Sequence, residues 1–303
     1  MTQASAPEVQ STPPPTSRWQ PRARKTPPSP IEITGSVFMM VALVCLWIVI
    51  QLLLLGGLQH DRAQQLMYQD FRHQLASTEA PLGPVIDVGD PVALVTVQEI
   101  GLDEVVVEGT ASGDLLAGPG HLRNTPLPGQ QGTSVVLGRA TTYGAPFSRI
   151  GELTEGMGIT VVMAQGTQEF TVIGVRRAGD PLPPPPEPGV ARLVLVSGEG
   201  TGRLAGISPG TALYVDAEAD KGFPAPAGRP LAVPKAEQVM AIDSGAWPLL
   251  ALCLAALVGL ATAVVLALRR WTALLVWIVA APLVIALAWS TTDVVMRLLP
   301  NLM

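Results

Sequence analysis

The chain has 303 residues, enough for one or two domains, with only 14% of them charged and 48% hydrophobic. Between Gln59 and Asp243 it carries 12 basic and 21 acidic side chains, a formal charge near −9. That is the wrong sign for a nucleic-acid partner. The two cysteines, Cys45 and Cys253, both fall in apolar runs outside this stretch. The acidic stretch therefore forms no disulfide, builds no thiolate metal site and presents no thiol nucleophile.

Residues 1–36 are rich in Pro, Ser and Thr ("STPPPTSRWQPRARKTPPSP") and cannot bury a core, so a disordered cytoplasmic tail is expected. Residues 37–57 follow as a first membrane span, built on the uncharged run "VFMMVALVCLWIVIQLLLL" from Val37 to Leu55. A span needs roughly 20 apolar residues to cross a hydrocarbon core of about 30 Å. Two further runs meet that length and predict spans at 244–268 and 271–293. Arg18, Arg22, Arg24 and Lys25 precede the first span, and Arg269 and Arg270 separate the other two. Basic flanks mark the cytoplasmic side, so the stretch between the first and second spans is expected outside, as is an external tail at 294–303. Ala251, Ala255, Gly259, Ala263 and Ala267 recur every fourth residue and predict a smooth face on the second span, suited to close packing on the third.

After the first span, residues 58–80 ("HDRAQQLMYQDFRHQLAS" within them) place Leu66, Met67, Phe71 and Leu75 at near-helical spacing. His60 and His73 lie on this juxtamembrane helix and read as solvated, since no second ligand stands nearby at metal spacing. Residues 81–220 alternate short apolar runs with Gly/Pro loops. Strands are predicted at 92–97, 105–108, 133–138, 159–163, 169–176, 193–196 and 212–215, with a helical turn in "ASGDLLAG" and a short helix at Phe147–Leu153. Many short strands and little helix argue for a mainly β barrel or sandwich. "PLPPPPEP" interrupts it as a stiff polyproline loop, and residues 221–243 form a Pro-rich tether back to the membrane.

The run "EVVVEGTASGDLLAGPGHLRNTPLPGQQGTSVVLGRATTYGAPFSRIGEL", with "ARLVLVS" further on, closely resembles the core of actinobacterial class E sortases. The pieces "VVVEGT", "GPGH", "TTYGAPF" and "ARLVLVS" recur in order, and the likeness covers about Pro91 to Ala217. The resemblance implies an eight-stranded sortase-like β-barrel ectodomain carried by the three transmembrane helices. It also implies a membrane-anchored cysteine transpeptidase ancestry. The reacting groups do not carry over. Arg139 stands in the slot of the catalytic His, Ala140 in that of the arginine usually following it, and Gly198 in that of the nucleophilic Cys. Arg203 is the counterpart of the transition-state arginine, at a shortened spacing. Sortase chemistry needs a thiolate to attack the peptide carbonyl and an acid to protonate the leaving amine. Glycine has no side chain, and a guanidinium stays protonated.

Ser197 and His121 are the residues that could substitute as nucleophile and base, although a strand serine points to the opposite face from its neighbour. His121 also reads as a structural hydrogen-bonding group. Arg139 has two readings, a guanidinium that holds a ligand carboxylate bidentately or a surface residue. If a peptide groove persists, Arg139, Thr141, Thr142 and Tyr143 line one wall, with Ser197 and Arg203 toward the other. No cofactor or metal is expected.

Three functions fit these features. The first is a catalytically inactive sortase-like membrane protein that binds a peptide or envelope protein, as part of a membrane complex. The second is a divergent transpeptidase or acyl-transfer enzyme with a non-cysteine nucleophile. The third is a structural subunit with no groove ligand.

Overall fold

The computed structural model describes residues 46, 47, 49–51, 55–200, 210–268 and 270–303. The predicted cytoplasmic tail, most of the first span, Arg203 and Arg269 lie outside the described residues.

Eight strands close into a barrel in the order β1-β2-β3-β4-β7-β8-β6-β5. They are β1 (Pro91–Val97), β2 (Leu102–Glu108), β3 (Gly120–His121), β4 (Gly132–Leu137), β5 (Gly158–Met163), β6 (Gly166–Arg177), β7 (Ala191–Glu199) and β8 (Thr211–Ala219). β2 with β3 and β4 with β7 are parallel, and the other pairs are antiparallel. Alternate residues of most strands fill the interior, where Val95, Val136, Ile159, Phe170, Leu193, Leu195 and Val215 pack together. β7 departs from alternation: Ala191 through Ser197 are all buried. A strand apolar on both faces needs a layer on each side. Leu193 and Leu195 supply the interior, while Val194 and Val196 join Leu115, Leu137, Ala212 and Leu302 in a second cluster outside it.

α1 (Gly56–Ala76) lies against β1 and β2, burying Phe71 and clamping β2 through Gln64. The Gln64 amide nitrogen donates to Val105 O and Ala117 O, and its oxygen accepts from Val105 N at 2.8 Å. His60, expected in solvent, is instead 2% exposed and contacts Glu104 through Nε2 at 3.0 Å. The spacing that marks a helix does not say which polar residue its packing face carries inward. His73 does sit exposed.

Two helices among the described residues are long and apolar enough to cross a membrane: α2 (Trp247–Leu268), lengthened at its start by a 3-10 turn from Ser244, and α3 (Ala273–Arg297). The third expected span, the first in the chain, falls largely outside the described residues; Trp47, at its described edge, donates to Thr292 of α3. α2 and α3 pack on each other, but not through the predicted small-residue face. Cys253 and Leu250 meet Val294 and Leu298, while Ala251, Ala255, Gly259 and Ala263 are exposed. Bulkier side chains bury more area per contact, and here they win over close backbone approach. α3 runs four residues further than the predicted span, and residues 301–303 after it are buried.

Candidate functional site

β4 and β7 run side by side with Leu137 opposite Val196, so Arg139 and Gly198 follow from the same end of two paired strands. The chain leaves β4 at Gly138. Its amide donates to Val196 O at 2.9 Å, and its carbonyl accepts from Ser197 Oγ at 3.3 Å. The Phe147 ring packs where a side chain would start, 2.4 Å from the position of a Cβ, so only glycine allows this turn.

Arg139 then turns inward and is fully buried. Nε donates to Leu115 O at 3.1 Å; Nη2 donates to Ser112 O at 2.7 Å and Ser112 Oγ at 2.9 Å. Nη1 donates to Thr142 Oγ1 at 3.1 Å and to the main-chain oxygen of Met303 at 3.3 Å. Burial lowers its pKa to about 10, with the Tyr143 ring 5.7 Å from the guanidinium carbon. It therefore stays a cation at neutral pH, solvated by protein carbonyl and hydroxyl dipoles rather than by water.

The loop after it is wound tightly. Tyr143, Gly144 and Ala145 take φ of 50°, 78° and 47°, three successive left-handed residues. For a non-glycine this costs about 1–2 kcal/mol each, so surrounding contacts must hold them. Phe147 N donates to Arg139 O and Ala145 N to Thr142 O, at 3.1 Å each. Tyr143 is buried, and its hydroxyl donates to Asp293 Oδ1 of α3 at 2.5 Å. Burial first, and the Asp293 carboxylate second, push the phenol well above its ordinary pKa. Gly144 lies under the His60 ring.

The segment after α3 completes the site. Ser112 Oγ donates to Met296 O at 2.8 Å, and Asn301 Nδ2 donates to Thr110 O and Gln238 O at 2.8 and 2.9 Å. Asn301 N donates to Ala241 O and Ala140 N to Leu302 O, at 3.0 and 3.1 Å. Leu302 is buried against Leu115, Leu137, Val194, Val196 and Ala212. The Met303 oxygen accepts from both Thr142 Oγ1, at 2.7 Å, and Arg139. Sequence reasoning did not place Ser112 or Asn301–Met303 here. The available signal was β7: a strand apolar on both faces demands an outer cover.

Of the predicted site residues, Arg139, Thr142 and Tyr143 come together, with Thr141 half-buried in the same loop. Ser197 adjoins them through Gly138 O and is 1% exposed; Gly198 is half-buried. His121 is held elsewhere. Its Nδ1 contacts Glu108 Oε2 at 2.7 Å, and its Nε2 contacts Pro126 O at 2.8 Å and Thr125 Oγ1 at 3.1 Å. Both ring nitrogens are thus engaged with β2 and the loop before β4, which suits the structural reading of this residue. Among the described residues no group of three or more His, Cys, Asp or Glu is placed to hold a metal ion.

Residues 95–181 match the sortase domain family. The match spans β1 to β6 and ends before β7. Among solved structures, the Sortase D5 transpeptidase of Clostridium perfringens is similar at 19% identity, over 52% of this chain and 98% of that one, with a TM-score of 0.43. Sortase E1 of Streptomyces coelicolor, solved with a tripeptide in its active site, shares 17% identity over 45% of this chain and 91% of its own, TM-score 0.36. A sortase E variant from Streptomyces avermitilis shares 24% over 50% of this chain and all of its own, TM-score 0.35. No curated protein matches the chain.

Proposed function

We propose that this sortase-domain protein is catalytically silent, and that its barrel holds a peptide or envelope-protein partner at the outer face of the plasma membrane. The observation that carries the reading is the state of Arg139. It stands where the family resemblance puts a catalytic histidine, yet it is fully buried and donates to internal oxygens from all three nitrogens. A group so engaged neither takes nor gives a proton near neutral pH. Ser197 donates to Gly138 O and has no imidazole beside it to accept its proton, since both nitrogens of His121 are used elsewhere. The basic residues Arg18, Arg22, Arg24 and Lys25, with Arg269 and Arg270, support a cytoplasmic N-terminus and an outward barrel. The membrane helices favour work within a membrane complex.

The test is a cleavage-and-transfer assay on the intact protein in detergent micelles, with sorting-type peptides and an amine acceptor. No turnover is expected. Turnover abolished by Ser197→Ala would replace this reading with that of a divergent transpeptidase.

A further inference from the structure

Residues 301–303 are held as a ligand is held. Their main chain is gripped from two sides, Asn301 N by Ala241 O and Leu302 O by Ala140 N. One side-chain amide, that of Asn301, reads two main-chain carbonyls from distant segments, Thr110 and Gln238. One aliphatic side chain, Leu302, fills a slot on the outer face of β7. One oxygen, that of Met303, meets a buried guanidinium and a hydroxyl. The segment docks as a turn rather than a strand, with Met303 N donating to Pro300 O at 3.1 Å. Pro300 ahead of the segment restricts its backbone and reduces the entropy lost on docking.

The fit is also incomplete. Asn301 Oδ1 and Arg297 Nε are buried without a hydrogen-bond partner among the described residues. An occupant that leaves a buried acceptor unpaired is open to replacement by one that pairs it. If the segment left, Val194, Val196 and Leu137 would be uncovered, so a replacement has to bring an aliphatic residue of its own.

We propose that the frame around Arg139 is a peptide-binding cleft, and that Asn301–Met303 are its built-in occupant, a cis-acting segment that a partner must displace. The partner class is a peptide that presents a turn with an amide-bearing residue, then an aliphatic one, then an oxygen directed at Arg139. This rests on the non-catalytic reading, because it assigns to binding the groups that catalysis would otherwise claim.

The experiment uses full-length Leu302→Asp protein, in which a carboxylate in the apolar slot drives the segment out. The probe is a fluorescent synthetic peptide of residues 298–303. It is expected to bind Leu302→Asp protein, to bind wild type at least about tenfold more weakly because the cleft is filled, and to lose at least about tenfold when the peptide itself carries Leu302→Asp, roughly 1.4 kcal/mol. A folded Leu302→Asp protein that ignores the peptide, or that binds both peptides equally, overturns the proposal. If Leu302→Asp protein does not fold, hydrogen exchange on the wild type decides. The Ala140 amide, which donates to Leu302 O, is expected to exchange at least about tenfold faster than the neighbouring Gly138 amide, which donates to Val196 O. Equal protection would make the segment ordinary core and end the proposal. Loss of peptide binding leaves catalytic silence standing, whereas turnover of sorting peptides by the wild type would overturn silence and, with it, the assignment of these groups to binding.

Discussion

Arg139 Nε donates to Leu115 O at 3.1 Å, tying the end of β4 to a turn 24 residues earlier in the chain. With Ser112, Thr142 and Met303 also on its nitrogens, this one side chain joins three segments distant in sequence. Arg139→Ala leaves the Leu115 and Ser112 main-chain oxygens buried without this donor, while the Met303 oxygen keeps Thr142 Oγ1. At about 1–3 kcal/mol for each unpaired group, the expected loss of stability is at least about 2 kcal/mol. Arg139→Lys is expected to recover less than half, because an ammonium cannot span the planar fork's partners. Denaturant unfolding followed by circular dichroism measures both. An Arg139→Ala protein as stable as wild type would remove Arg139 as the hub of the site.

Asp114 lies beside this hub, in the 3-10 turn Asp114–Leu116 that presents Leu115. Burial raises its pKa from 3.8 to about 6, although Ala111 N donates to its carboxylate and opposes the shift. A folded pKa above the unfolded one means that the folded state holds the proton more tightly. The stability this confers is fully present below pH 3.8 and is lost as pH rises through about 6. After discounting for partial exposure, the change is on the order of 1–2 kcal/mol. Asp114→Asn keeps the acceptor for Ala111 N and is expected to flatten this part of the pH–stability curve between pH 4 and about 7. An unchanged slope in that variant would place the pH dependence on another group.

Leu182, in the polyproline loop between β6 and β7, is 76% exposed and offers a clean position for mapping sidedness. In a Cys45→Ser, Cys253→Ser background, Leu182→Cys is expected to react with a membrane-impermeant thiol reagent in whole cells. Reaction only after lysis would place the barrel on the cytoplasmic side.

Much of the barrel was legible because its strands are β-branched runs bounded by glycine and proline; "TSVVLG" and "ARLVLVS" gave β4 and β7 directly. β3 was not, because Gly120–His121 carry no strand pattern and are paired only by the register of their neighbours. Position 120 tolerates nothing larger, since a Cβ there would come 2.1 Å from Gly109 O. The predicted helix over 147–153 contracts to a 3-10 turn at Ile150–Glu152. Order and spacing single out Arg139, but its partners were not legible. They are mostly main-chain oxygens, and any residue type can supply one. The docking of Asn301–Met303 was hidden for a related reason: Thr142 meets Met303 across 161 residues, and no local pattern in "LLPNLM" reports so distant a contact.

The proposal that this sortase-like barrel carries no reacting nucleophile is tested most directly by intact-mass spectrometry after incubation with a fluorophosphonate, which modifies activated serines. An unmodified mass is expected for the full-length protein, because Ser197 Oγ donates to Gly138 O and no base among the described residues bonds it. A stoichiometric adduct that maps to Ser197 and disappears in His121→Ala would contradict it.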